Sequence, residues 1–209
     1  MSDFDSMLWR PIKNGMQFNS LFPTSTCTKT AIGSGNTDFS IKEMNALVSK
    51  FAYQTEKIAN VLKKNTFQDT CNAIKEFVYN HFQYKADDED QMLRSPACSW
   101  HDRAIGIDCK SYSILASCLL TNLGIKHYIR RIKQQGYAPE QYTHVYVVVP
   151  TNQKTADLQQ GSICIDGTLK QSNEPSFLIK SNEFPHGFPH FILSPPYSPP
   201  RHVTAQRIY

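Results

Sequence analysis

A cysteine, a histidine and an aspartate in this chain each sit in a setting that suits nucleophilic chemistry. Cys109 lies in Gly106-Ile107-Asp108-Cys109-Lys110-Ser111-Tyr112-Ser113. Directly after it, Ile114, Leu115, Cys118, Leu119 and Leu123 fall on one helical stripe, which Leu123-Gly124 stops. The cysteine therefore opens a buried helix, and the unpaired N–H groups at a helix start favour a thiolate over a thiol. His144 lies in the alternating run 142–149, and Asp166 lies in Ile163-Cys164-Ile165-Asp166-Gly167. A thiol alone is only slightly ionised at neutral pH. An imidazole raises that fraction and later protonates a leaving amine, while a carboxylate fixes the imidazole's tautomer. The chemistry such a trio performs is attack on a carbonyl carbon through a thioester.

The flanking sequence has to position these groups. Ser40 and Glu43 have capping-box spacing and predict a helix start. Ile41, Met44, Leu47, Val48, Phe51, Ile58, Val61 and Leu62 then recur at helical intervals to about Lys63. A second helix is predicted from near Thr66, with Asp69 three residues on, burying Phe67, Ile74, Phe77, Val78 and Phe82 to about Tyr84. From Lys85 to Asp108 periodicity disappears, as in a loop that borders an active site. The acidic run 86–90 reads as a solvated loop or as a site for a cation or basic substrate; it lacks the glycine and terminal glutamate of an EF-hand, so calcium is not expected. Beyond the Cys109 helix, strands are predicted at 126–133, 143–150 and 162–166. On the second, Val145, Val147 and Val149 share one face, and His144, Tyr146 and Val148 share the other. In one register His144 and Asp166 project from the same face, toward the start of the Cys109 helix. Helices first and strands later predict an α+β fold with antiparallel strands.

Composition narrows the classes. At 209 residues and 40% hydrophobic content, one folded domain with ragged ends is the economical expectation. It comprises an N-terminal arm at 1–39, a domain at 40–170 and an extended Pro-rich tail at 171–209. The net charge of +4 is scattered, and the longest basic cluster, 127–133, alternates like a strand; nucleic acid is not an expected partner. No apolar run approaches the roughly 18 residues of a membrane span, so no membrane partner is expected. The start, Met1-Ser2-Asp3-Phe4-Asp5, lacks the features of a signal peptide, which predicts a cytoplasmic setting. Six irregularly spaced cysteines are then expected to be reduced, with Cys71 and Cys118 as small core residues. A zinc reading through Cys98, His101 and Cys109 has no pair-of-pairs spacing, so no metal is expected.

The order and setting of these pieces resemble the transglutaminase-like superfamily, a papain-like fold with a permuted element order. The resemblance rests on the glycine-led cysteine motif opening a helix, the strand Thr143-His144-Val145-Tyr146 and the strand Ile165-Asp166-Gly167-Thr168. It rests also on an upstream helix ending in Phe82-Gln83-Tyr84, and it covers 66–170. It implies helices packed on an antiparallel sheet, with Cys109 as nucleophile, His144 as base and acid, and Asp166 as orienter. The oxyanion donors would be the Cys109 backbone N–H and a second group from Trp100, His101 or the Tyr84 hydroxyl. Asp108 opposes a neighbouring thiolate, so its side chain is expected to point away. The implied activity is that of a cysteine peptidase or amidase acting on a protein or peptide, or of an amine-accepting transglutaminase, without a cofactor. Hydrolysis is favoured because compact bacterial and phage relatives are more often hydrolytic, which also opens a phage or virion setting. The alternative is a non-catalytic module whose two arms contact a larger assembly. A third expectation is that the tail from Phe184 lies in the cleft and is cut by Cys109.

Overall fold

The computed structural model describes residues 3–33, 37–87, 91–136, 138–171 and 173–185. Among the described residues six α-helices are followed by four strands: α1 (Asp3–Leu8), α2 (Thr37–Phe51), α3 (Glu56–Leu62), α4 (Phe67–His81), α5 (Pro96–Asp102), α6 (Cys109–Asn122), β1 (Tyr128–Lys133), β2 (His144–Pro150), β3 (Ser162–Ile165) and β4 (Ile179–Glu183). The sheet has the order β3-β2-β1-β4, and every neighbouring pair is antiparallel. The fold is α+β. Among the described residues no helix is long and apolar enough to cross a membrane.

Helix α6 is the axis of the core. Ile114, Leu115, Cys118, Leu119 and Leu120 are all fully buried. Leu115 and Leu119 pack with Val147, Val149, Ile163 and Ile165, while Ile114 and Cys118 pack with Met44, Val48, Ile129 and Val145. The opposite side of the sheet carries a smaller cluster of Ile132, Tyr146, Val148 and Cys164. This division matches the strand alternation expected for β2.

Three elements depart from expectation. The first helix begins at Thr37, so Ser40 lies inside it, and it ends at Phe51 rather than near Lys63. A short 3-10 turn, Ala52–Thr55, separates it from α3. The break is held by polar groups: Asn122 Nδ2 donates to Ala52 O (2.6 Å) and to Thr55 Oγ1 (2.8 Å), and Gln54 Oε1 accepts from Ala97 N at 2.9 Å. These bonds give polar groups at the break partners outside the helical ladder. Helix α5 interrupts the segment expected to be aperiodic, capped by Ser95 with Pro96 in its first turn. Its outer face also carries a correction to the cysteine reading: Cys98 is cross-linked to Cys27, with Cα atoms 5.3 Å apart, because the N-terminal arm folds back onto α5. Finally, the segment expected as a tail from 171 starts inside the fold. β4 extends the sheet beside β1, with Arg130 Nε donating to Asn182 Oδ1 at 2.6 Å. The self-cleavage expectation falls on residues of which only Phe184 and Pro185 are described.

The second predicted helix starts where expected, since Thr66 accepts a hydrogen bond from Asp69 N. It stops at His81, and the following Phe82-Gln83-Tyr84 runs extended. Ile107 N donates to Gln83 O (2.9 Å) and Lys85 N to Ile107 O (3.1 Å), so this stretch lies parallel to the residues that lead into Cys109. Gly106 adopts φ +117° there, with Lys85 backbone N only 3.2 Å from where a Cβ would sit. A side chain at this position would meet both strain and the crossing strand.

Candidate active site

Cys109 is the first residue of α6 and is half-buried, whereas the other free cysteines, Cys71, Cys118 and Cys164, are buried. Burial pushes the Cys71 thiol up to about 12 and raises those of Cys118 and Cys164 further. Asp108 caps the helix: its Oδ1 accepts from Ser111 N at 3.0 Å, and Tyr112 N reaches its carbonyl at 3.0 Å. The Asp108 carboxylate is thereby engaged by the cap and by Lys110. The Ser111 N–H is taken by this cap, while the N–H groups of Cys109 and Lys110 ahead of it have no acceptor within the helix.

The structure brings the three predicted residues together. His144 starts β2 and lies opposite Ile132 of β1. In the β2–β3 register Val147 pairs with Ile165, which puts Asp166 next to the strand's end, diagonal to His144 and on the same side of the sheet. His144 Nε2 and Asp166 Oδ2 are 2.6 Å apart, and Cys109 lies near enough to the His144 ring to help raise its pKa. With Nε2 on the carboxylate, Nδ1 is the nitrogen left for the sulfur. Burial works against charge on the His144 ring, but Asp166 and Cys109 outweigh it and raise its pKa to about 10. Asp166 is fully enclosed, yet its pKa is lowered; burial would raise it, and His144 with the Thr168 N–H and hydroxyl more than compensates. Thr168 donates twice to Asp166 Oδ1, at 2.9 Å from N and 2.7 Å from Oγ1. The arrangement is an ionised carboxylate holding an imidazolium against a thiol-bearing helix start.

The oxyanion candidates divide. Trp100 is an aromatic anchor: it stacks on Phe22 at 4.8 Å and on Phe77 at 5.9 Å, and its indole N–H donates to Asn19 Oδ1 at 3.1 Å. Its one donor is therefore engaged in packing the N-terminal arm. His101 is 63% exposed and bonded to Asp102 at 2.8 Å, facing the arm's Cys27. Tyr84 is buried, stacked at 6.4 Å on Tyr112, and paired across the bridge with Ile107 two residues before the cysteine. Of the three, Tyr84 is the one whose backbone is built into the approach to Cys109.

Several supporting residues had no distinct sequence signal. Lys110 bonds Asp108, Gln91 Oε1 (2.8 Å) and Asp87 Oδ2 (3.2 Å), and Arg94 bonds Asp87 and Asp102, both at 3.3 Å. Burial opposes the Lys110 charge, but Asp108, Cys109 and Asp87 together raise its pKa. Asp87 is itself raised, by burial first and then by Asp108, despite its two cationic partners. One described part of the acidic run is therefore an internal tether and not a solvated loop; 88–90 lie outside the described residues. Arg10, from the arm, donates to Gly167 O (2.6 Å), Phe82 O (3.2 Å), Tyr112 Oη (3.2 Å) and Tyr79 O (3.0 Å). It joins the turn after Asp166 to α4 and α6. Arg-to-carbonyl clamps of this kind leave no local pattern, because every partner is distant in sequence.

Compared with family models, curated proteins and solved structures, the chain matches none.

Proposed function

We propose that this chain is a cysteine peptidase or amidase of transglutaminase-like, papain-like architecture, working through Cys109, His144 and Asp166. The observation that carries the reading is the 2.6 Å His144–Asp166 contact beside Cys109 at the start of α6, with Cys109 close enough to act on the His144 charge. Cys109 Sγ attacks the carbonyl carbon of an amide, and the developing oxyanion lies at the first-turn N–H groups of α6. The tetrahedral adduct collapses with cleavage of the C–N bond, and the His144 imidazolium gives its proton to the departing amine. A thioester remains on Cys109. Water, deprotonated by His144, attacks that thioester, releases the acid and restores the thiolate–imidazolium pair. A primary amine in place of water would give the transamidated product instead. Asp166, held by Thr168, keeps the ring oriented and its charge stabilised throughout.

Capture of the thioester tests this. The chain is incubated with a casein digest in hydroxylamine, and with a fluorescent primary amine in a parallel sample. Peptide hydroxamates or hydrolysed peptides that disappear in Cys109→Ala support the reading, and fluorescent peptides shift it to amine transfer. A digest unchanged by wild-type protein, with Cys109 inert to a peptide vinyl sulfone, overturns it in favour of the non-catalytic assembly module.

A further inference from the structure

A second constellation stands apart from the Cys109 site. Helix α5 presents Cys98, His101 and Asp102 at positions i, i+3 and i+4, which share one helical face. The folded-back arm lays Cys27 on that face. Donor atoms of Cys27, His101 and Asp102 lie within 4.8 Å of one another, and Cys98 Sγ is bonded to Cys27 Sγ. Two sulfurs, an imidazole and a carboxylate form a four-donor set for a borderline-soft divalent cation. Tetrahedral zinc with bonds of about 2.0–2.3 Å needs donor–donor edges of about 3.3–3.8 Å, so closing Cys27, His101 and Asp102 takes a shift of about an ångström, and Cys98 Sγ, once freed from Cys27, swings in as the fourth donor. Two thiolates and a carboxylate around a divalent ion leave one negative charge. Arg94 Nε already sits 3.3 Å from Asp102 Oδ2, the oxygen not facing His101, where it balances that charge and orients the ligand. The donors are half-buried or exposed, which gives a cation access.

The geometry points to a zinc-class metal site made of Cys27, Cys98, His101 and Asp102, formed when the cross-link is reduced. A phosphine reductant supplies the two electrons and becomes its oxide with oxygen from water; the two protons of that water leave Cys27 and Cys98 as thiols. Metal binding then displaces both thiol protons to solvent. Disulfide and metal are two alternative ways of pinning residues 25–28 to α5. In a reducing compartment the second is the one available.

The test uses the full chain, reduced with a phosphine, desalted without air and titrated with Co²⁺, then Zn²⁺. One equivalent of Co²⁺ with tetrahedral d–d bands and sulfur-to-cobalt charge transfer, bleached by Zn²⁺, is the expected result. Cys27→Ser and His101→Ala should each weaken binding at least about tenfold, and the unreduced protein should give no charge-transfer band. His101 is 63% exposed, so its replacement leaves the core intact. Cys109→Ser should titrate like wild type. No cobalt–sulfur band after reduction, unaltered binding in His101→Ala, or loss in Cys109→Ser would each overturn the site.

Discussion

Burial of His144 disfavours a charged ring, yet Asp166 and Cys109 hold it protonated to about pH 10 against an ordinary value of 6.5. The sign of the pH dependence follows. What this charge contributes to stability is complete below pH 6.5 and is lost as pH rises through about 10. Asp166, held low, contributes above its ordinary 3.8 and loses that as pH falls through its lowered value. In the proposed reaction the imidazolium protonates the leaving amine, so the acylation rate should hold through neutral pH and fall through about pH 10. Pre-steady-state release of amine against pH measures it; a decline centred near 6.5 would mean His144 is not so held. Asp166→Asn should reduce acylation by at least about a hundredfold and move that descending limb to lower pH. Thr168→Val removes one donor to the same carboxylate and should lower stability by about 1 kcal/mol, measured by urea denaturation.

At the scale of elements, the turn after Asp166 is fixed by close approach. A Cβ on Gly167 would overlap the Tyr112 ring and lie 2.8 Å from Val78 Cγ1. Gly167→Ala should therefore cost about 1–3 kcal/mol by overpacking, read as an earlier denaturation midpoint with unchanged slope. Arg10 also holds this turn, through Gly167 O, and Arg10→Ala should lower the melting temperature by about 4–8 °C. Much of this frame was legible. α6 announces itself through five apolar positions and a Leu-Gly stop, and β2 through its valine alternation, because both are buried and periodic. β4 was not, since Ile179-Lys180-Ser181-Asn182-Glu183 is a polar edge strand with a single apolar residue. The end of α2 at Phe51 was hidden too, as the apolar spacing runs on while side-chain bonds from Asn122 interrupt the helix. α5 did carry a signal, the Ser95-Pro96 start, in a segment whose brevity masks its period. Cys109, His144 and Asp166 could be read from their local settings, but the roles of Arg10 and Asp87, whose partners lie elsewhere in the sequence, could not.

For the molecule as a whole, acid sensitivity should come from the core rather than the site. His127 is fully buried, hydrogen-bonded to Ser117 Oγ and through Nδ1 to Ile125 O (2.8 Å). Burial lowers its pKa to about 4 from 6.5. The unfolded chain takes up a proton there between pH 6.5 and 4 while the folded chain does not, so stability falls as pH is lowered through that window. The loss is on the order of 3 kcal/mol. Thermal melting from pH 7 to pH 4 should fall accordingly, with a shallower slope in His127→Gln; equal slopes would assign the acid response elsewhere. The N-terminal arm belongs to this same unit, because Arg10, Phe18, Phe22 and Cys27 all contact the helical core.

The central claim is that Cys109 and His144 act as one nucleophilic pair. The rate of Cys109 alkylation against pH, with peptide mapping to separate it from the buried thiols, measures that directly. Rapid labelling at pH 6–7 that collapses in His144→Ala is the predicted result. Slow labelling that climbs only in alkaline solution and is indifferent to His144→Ala would contradict it.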